Sequence, residues 1–161
     1  MESAIEKGFI VWHGLPFTTH TELMGRALFE FGLSLSKSLD VRFGRHTIAA
    51  KMTDVPGHTR AIVPLLKNSG IEFLHIGVNP ASTPPDVPSA FLWRDEASGS
   101  EIAVVYDKED YGGISFVNGC DEALAIIHSG DNSGPQTPAQ IKDCYKKLKH
   151  SFPETLVEAS T

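Results

Sequence analysis

Short, almost wholly apolar segments alternate along this chain with longer segments whose apolar residues recur at helical spacing. The apolar segments are residues 9–12, 47–52, 71–77 and 123–127. A parallel strand that is covered on both faces is apolar throughout, and two parallel strands need a long connection, usually a helix, between them. The alternation therefore predicts an α/β fold with mostly parallel strands, in a single unit of 161 residues that is long enough to bury a core.

Local signals predict where the helices begin and end. Thr19 and Glu22 have the spacing of a capping box, which predicts a helix from this point. Its apolar positions would be Leu23, Ala27, Leu28, Phe31 and Leu35. A second helix is predicted over 60–68, where Pro64 must lie in the first turn or kink the helix. The Thr-Pro-x-Gln sequence at 137–140 predicts a capped helix that runs to residue 150.

The remaining segments complete the predicted organisation. Residues 91–94 and 101–106 flank a Ser-Gly-Ser turn, which indicates a hairpin inserted in the α/β pattern. Four prolines in 79–88 exclude regular structure there, and 107–118 is also predicted to be irregular. Residues 156–159 read as a last strand.

Composition argues against several classes of partner. The chain has 14 Lys and Arg against 20 Asp and Glu, a net charge of −6, and no basic cluster that could follow a phosphate backbone. Residues 1–7 do not resemble a signal peptide, and no apolar run suits a membrane span, so a cytoplasmic location is the default expectation. Cys120 and Cys144 are compatible with free thiols in a reducing compartment or with a single disulfide. The oligomeric state is left open.

Three loops that follow predicted strands are the candidates for a functional site, because the carboxyl ends of parallel strands converge where helices leave the sheet open. They are residues 12–20, 53–59 and 128–135. In the second loop Asp54 directly follows a strand, and the Pro56-Gly57 pair that comes next favours a tight turn. Asp54 is therefore the leading candidate, and the alternative is an ordinary turn or N-cap aspartate.

Other polar residues of these loops are weaker candidates. Asp131 and Asn132 follow an apolar segment and are equally compatible with a simple turn. His13, His58 and His128 lie beside predicted strand ends, where they could contact a substrate. The seven histidines of the chain show neither HExxH nor HxH spacing, so any metal site would need ligands from distant strands.

Several segments together resemble glycoside hydrolase family 38, the α-mannosidases. The most specific is the turn around Asp54, in which a strand ends in an aspartate that is followed by Pro-Gly-His and a helix. The matching segments are residues 50–60, 63–66 and 70–71, then Phe91-Leu92-Trp93-Arg94, Gly130-Asp131-Asn132 and residues 157–161. The pattern is most similar to an uncharacterised branch of that superfamily, a domain-of-unknown-function group numbered 5054.

This resemblance implies a fold, a cofactor and a chemistry. The fold would be part of a (β/α) barrel of the glycoside hydrolase and deacetylase type. Asp54 would be both a Zn²⁺ ligand and the nucleophile of a retaining glycosidase that acts on a carbohydrate substrate. Such an enzyme needs a second carboxyl group as acid and base, for which Asp131 is the nearest match. His13, His58, His128 and Asn132 would contact the sugar.

The chain also departs from the family pattern. Asn132 stands where the family has a second aspartate, and residues 77–79 replace an expected arginine. The His-x-Asp of an earlier strand and a further downstream histidine, both zinc ligands in the family, have no match here. A closed barrel takes about 200–250 residues, so we expect an incomplete domain that is inactive alone. The alternatives are a polysaccharide deacetylase-like hydrolase and a noncatalytic carbohydrate-binding or structural remnant.

Overall fold

The computed structural model describes residues 1–130 and 133–160, which form four helices, six strands and the loops between them. The helices are α1 (Glu2–Glu6), α2 (Arg26–Phe43), α3 (Ile62–Asn68) and α4 (Pro138–Ser151). The strands are β1 (Ala49–Asp54), β2 (Phe73–Val78), β3 (Ala90–Asp95), β4 (Ser100–Asp107), β5 (Ile114–Phe116) and β6 (Ala123–Ala125). None of these helices is both long enough and apolar enough to cross a bilayer.

The main sheet has four strands in the order β1-β2-β4-β3. β1, β2 and β4 are parallel, and β3 pairs antiparallel with β4 as the edge of a hairpin. The predicted α/β fold, the mostly parallel sheet and the hairpin are therefore confirmed. β5 and β6 form a separate two-stranded antiparallel sheet. Within residues 1–130 and 133–160 neither sheet closes on itself, so the described fold is an open α/β arrangement.

The core lies between one face of the main sheet and two helices. Successive side chains of a strand point to opposite faces, so Met52, Leu74 and Val104 share one face, and each is almost wholly buried. Phe29 of α2 and Leu66 of α3 belong to the same buried cluster. Burial of this apolar face holds the helices on the sheet.

The opposite face of the sheet is polar at its centre. Lys51, His75 and Asp107 lie here, one from each parallel strand. A loop crosses this face at Gly77, where an added Cβ would meet the backbone of Tyr111 at 2.6–2.7 Å. The absence of a side chain at Gly77 therefore lets the loop lie directly on the strand.

The predicted strand at 9–12 is wrong. Phe9 is 79% exposed, and Ile10 and Val11 are also exposed. This segment runs past the start of β1 and is anchored by Gly14, whose N–H donates to the Ala49 carbonyl at 2.8 Å. One such bond does not make a ladder, so the apolar run is an extended loop at the sheet edge.

The predicted start and buried face of the first long helix are also wrong. A short 3-10 helix, Thr21–Leu23, comes first, and α2 begins at Arg26 without a side-chain cap. The residues that α2 buries against the core are Phe29, Gly32 and Leu33. The expected core positions Leu28, Phe31 and Leu35 are instead exposed. The helix has apolar residues on two sides, and periodicity alone cannot choose between them.

Of the other local predictions, some are confirmed and others are wrong. Pro64 is the third residue of α3, in its first turn, and α4 has the predicted capping box between Thr137 and Gln140. The irregular segment 79–88 is also confirmed. Residues 156–159 form no strand, and 107–118 contains β5, contrary to the predictions. The apolar segment 123–127 pairs with β5 rather than joining the parallel sheet, through a ladder of three residue pairs whose β6 residues are exposed or half-buried.

Replacement of Gly77 by alanine tests the packing of the loop on the polar face. The added Cβ would overlap the Tyr111 backbone, so the loop must move, and we expect a loss of about 1–3 kcal/mol in unfolding free energy. Urea denaturation followed by circular dichroism measures it. Gly57→Ala is the control, because nothing lies within 4 Å of the added Cβ. Equal stability of the two variants would contradict the close approach.

Candidate functional site

The carboxyl ends of β1 and β2 bring three polar side chains together. Asp54 is the last residue of β1, and its Oδ1 accepts hydrogen bonds from Asn79 Nδ2 at 3.0 Å and from the Tyr111 hydroxyl at 3.1 Å. Asn79 also donates its backbone N–H to the Asp54 carbonyl at 3.2 Å. Asp54 is exposed, but its carboxylate is held by residues from two other segments. Asn79 and Tyr111 were not predicted as site residues.

Asp54 has an unusual backbone conformation. Its φ is 77°, and among the residues of 1–130 and 133–160 it is the only non-glycine residue with a positive φ. The Val55 N–H donates to the Thr53 carbonyl at 2.9 Å, which closes a γ-turn centred on Asp54. A γ-turn with positive φ is the rarer, strained form. Strain of this kind costs about 1–3 kcal/mol and is concentrated at functional sites.

The turn changes where the Asp54 side chain lies. In a regular strand Asp54 would share the apolar face with Met52. Its contact with Tyr111, whose backbone covers Gly77 on the polar face, shows that the γ-turn carries the carboxylate toward the polar side. The Tyr106 hydroxyl donates to the Pro56 carbonyl and fixes the next residues of the turn. The sequence correctly indicated a tight turn, but the positive φ has no sequence signal.

His58 anchors the far end of this turn. Its Nδ1 lies 3.2 Å from the Thr21 hydroxyl oxygen, which also accepts the Thr59 N–H at 3.1 Å. Burial first, and then the neighbouring His20, lower the pKa of His58 to about 4 against an opposing hydrogen bond with the Val55 backbone. At neutral pH His58 is therefore an uncharged residue that ties the turn to the 3-10 helix.

His13 lies on the loop before α2, beside a cavity of the polar face. Its Nδ1 accepts the backbone N–H groups of Leu15 and Lys51, each at 3.3 Å. Burial, followed by the charge of Lys51, lowers the pKa of His13. A cavity of about 240 Å³ is lined by His13, Phe17, Thr18, Lys51 and Thr53. The Thr18 and Thr53 hydroxyls are 2.7 Å apart, so this loop lies next to the residue that precedes Asp54.

His128 reaches the site through Tyr111. The two rings meet edge to face with centroids 6.0 Å apart, and His128 Nε2 is 3.8 Å from the Asp110 carboxylate. The structure thus places His13 and His128 around the Asp54 region. Asp131 and Asn132 lie outside the described residues.

A chain of polar contacts crosses the three parallel strands beneath this region. Lys51 Nζ lies 2.7 Å from His75 Nδ1, and His75 Nε2 lies 2.7 Å from Asp107 Oδ2. The Ser115 hydroxyl donates to Asp107 Oδ1 at 3.1 Å, and Lys51 Nζ also donates to the Tyr111 carbonyl at 2.8 Å. We call Lys51, His75 and Asp107 the relay. Because side chains alternate along β1, the sequence could have indicated that Lys51 lies on the face opposite Met52. Its alignment with His75 depends on the strand register, which the sequence does not show.

The charges of the relay follow from its geometry. His75 is 2% exposed, and its Nε2 faces the Asp107 carboxylate, so this nitrogen carries the proton and Nδ1 accepts from the Lys51 ammonium. Burial lowers the pKa of His75, with the Asp107 hydrogen bond opposing the change. Desolvation lowers the pKa of Lys51 to about 8, although Asp107 acts in the opposite direction. His75 is buried and both of its ring nitrogens have hydrogen-bond partners, as is typical of a core histidine.

The groups around Asp54 do not make a zinc centre by themselves. Across residues 1–130 and 133–160, no three His, Cys, Asp or Glu side chains come together as a metal site would require. The nearest partners of Asp54 are an amide and a phenol that donate hydrogen bonds to it. Zinc sites use four ligands drawn from Cys, His and carboxylates, and here only Asp54 belongs to that set. The described residues therefore do not fit a bound zinc ion.

Comparison with known proteins adds no relative: no family model matches the chain, and no curated protein or solved structure is significantly similar to it.

The strain at Asp54 predicts an unusual order of stability for two variants. Asp54→Gly and Asp54→Ala both remove the carboxylate, but only glycine accepts a positive φ without strain. We expect Asp54→Gly to be more stable than Asp54→Ala by about 1 kcal/mol, measured by urea denaturation. At Asp86, an exposed position without positive φ, alanine should be at least as stable as glycine. If the alanine variant were at least as stable as the glycine variant at Asp54 as well, the turn would not be strained in solution.

The lowered pKa of His58 predicts a dependence of stability on pH. The unfolded imidazole titrates near 6.5 and the folded one near 4, so the unfolded state binds the proton first. The neutral His58 therefore contributes to the free energy of unfolding above pH 6.5. This contribution, about 3 kcal/mol at most, is lost as the pH falls toward 4. We expect the stability difference between wild type and His58→Gln to change across this window. The same pH dependence in both proteins would assign the loss to other groups.

Proposed function

We propose that Asp54 is the nucleophile of a retaining glycoside hydrolase site of the α-mannosidase type. The observation that carries this proposal is the strained γ-turn at Asp54, at the carboxyl end of a parallel strand. A positive φ is uncommon for a non-glycine residue, although aspartate adopts it more readily than most. Such strain persists where surrounding contacts impose it. Asn79 and Tyr111 supply those contacts.

The proposed chemistry uses the carboxylate directly. Both hydrogen bonds end on Oδ1, so within the described residues Oδ2 accepts none and is the proposed attacking atom. It would attack the anomeric carbon and form a glycosyl ester while a second carboxyl group protonates the leaving oxygen. Asp131 is the proposed second group. His13, His58, His128 and Asn132 are the proposed sugar contacts, of which His13 and His128 lie nearest the Asp54 region.

The proposal places the four-stranded sheet in the wall of a (β/α) barrel. Among the described residues, α2 and α3 pack on the apolar face, and the other face carries the relay and the cavity beside His13. In barrels of this kind the active site lies at the carboxyl ends of the strands. Asp54, Asn79 and Asp107 lie at or just beyond the carboxyl ends of β1, β2 and β4.

Zinc is not part of the proposed chemistry, because the described residues do not fit the ion. Asp54 would supply one carboxylate of a ligand set that those residues do not complete, and no step proposed above depends on the metal.

A second candidate is carbohydrate binding without catalysis. The favouring observation is that Asp54, Asn79 and Tyr111 form one hydrogen-bonded group at an exposed edge. Carboxylate, amide and phenol groups placed together can exchange hydrogen bonds with vicinal sugar hydroxyls. Binding needs no proton donor, so the Asp54→Asn variant would keep part of its affinity for the sugar.

Turnover of aryl glycosides by the full-length protein tests the catalytic proposal, because these 161 residues alone are expected to be inactive. We expect hydrolysis of an aryl α-mannoside, and a loss of at least about a thousandfold in kcat with Asp54→Asn, because the amide cannot form the ester intermediate. Asp86→Asn is the matched control, since this carboxylate is fully exposed and pairs only with Lys108. Its turnover should be unchanged.

Other results would reject the catalytic assignment. Equal turnover by Asp54→Asn and wild type would exclude Asp54 as the nucleophile. Release of acetate from an acetylated glycan without release of sugar would favour a deacetylase. Saturable mannoside binding in calorimetry with no turnover would favour the binding function.

A further inference from the structure

We propose that Lys51 is a reactive amine that captures small aldehydes as an imine in the cavity beside His13. This site is separate from the proposed role of Asp54 and does not depend on it. It rests on the relay, which orients the Lys51 side chain, and on the cavity that Lys51 lines.

The contacts of Lys51 leave one position on the nitrogen for a ligand. An ammonium group has three donors. One meets His75 Nδ1 at 2.7 Å and another meets the Tyr111 carbonyl at 2.8 Å. No third hydrogen bond to Nζ is formed within the described residues, and the side chain borders the cavity.

The relay supplies an acceptor, His75 Nδ1, for a proton of the Lys51 ammonium. His75 Nδ1 is an acceptor because Nε2 donates to Asp107, whose side chain is 19% exposed. A carboxylate behind an imidazole orients the ring and stabilises the imidazolium that forms when it takes a proton. Lys51 stands here where a hydroxyl or thiol nucleophile stands in other such arrangements. The amine is therefore positioned beside its own base.

The environment of the amine makes its neutral form more accessible than that of an ordinary lysine. The titratable groups that face it are His13, His75 and Asp107, and burial keeps both imidazoles largely uncharged at neutral pH. Desolvation outweighs the opposing charge of Asp107 and holds the pKa of Lys51 at about 8. Roughly a tenth of the amine is then neutral at pH 7, several hundred times the fraction of an ordinary lysine.

The reaction balances without a further reactant. His75 takes one proton from the ammonium, and the freed nitrogen lone pair attacks the carbonyl carbon to form a carbinolamine. The carbonyl oxygen leaves as water with two of the three original ammonium protons, one of which returns through His75. The third stays on the protonated imine. No electron is transferred and the net charge is unchanged.

The cavity has room for a small molecule. Its volume is about 240 Å³. Phe17 offers an apolar wall, and the Thr18 and Thr53 hydroxyls offer hydrogen bonds on the same side. A short hydroxyaldehyde, with a carbonyl carbon for Lys51 and a hydroxyl for the threonines, matches these groups.

Reductive trapping tests the proposal on the wild-type protein. The protein is incubated with glycolaldehyde and sodium cyanoborohydride, and each lysine is followed by peptide mass spectrometry over time. Lys67, an exposed lysine that pairs with Glu72, is the internal reference. We expect Lys51 to be modified at least tenfold faster at pH 7.5, with a pH–rate midpoint near 8.

A variant of the relay gives an independent signature. Asp107 raises the pKa of Lys51, so Asp107→Asn should move the midpoint to lower pH while the Lys67 profile stays the same. Lys51→Arg should remove the fast phase altogether. Modification of Lys51 in the wild type at or below the rate of Lys67, or a midpoint near 10, would overturn the proposal whether or not the variants fold.

Discussion

The division of the parallel strands into an apolar and a polar face is the constraint on which the rest of this structure depends. Because side chains alternate along a strand, the register that places Met52 and Leu74 against the helices also places Lys51 against His75 on the other side. Burial of the apolar face supplies the main driving force for folding. The polar face is thereby free to hold ionisable groups, provided that each has a partner.

Asp54 shows how a local distortion adds to that division. A regular strand would end with this carboxylate on the helical side, next to the apolar core. The γ-turn instead carries it to the edge that Asn79 and Tyr111 share. The loop that brings Tyr111 there passes directly over Gly77. One glycine and one strained aspartate, in neighbouring strands, thus determine the shape of the candidate site together.

The sequence predicted the features that depend on local pattern and missed those that depend on long-range packing. The alternation gave the parallel sheet, and the capping box of α4 and the position of Pro64 were also correct. The face of α2 was wrong because two apolar stripes compete and only the sheet selects Phe29 over Phe31. The tight turn at Asp54 was predicted from the sequence, whereas the contacts of Asp54 with Asn79 and Tyr111, and the relay, depend on which strands pair.

The relay also has a consequence for how the chain finds its fold. If β2 slipped by two residues against β1, its apolar residues would stay on the helical face, but Phe73 or Gly77 would lie opposite Lys51 and its ammonium would lose the imidazole. Hydrophobic side chains alone distinguish such alignments poorly, since one branched aliphatic group packs nearly as well as another. A charged group in the middle of a strand makes the wrong alignments costly. The contact between Lys51 and His75 therefore favours one register of the two central strands over the others.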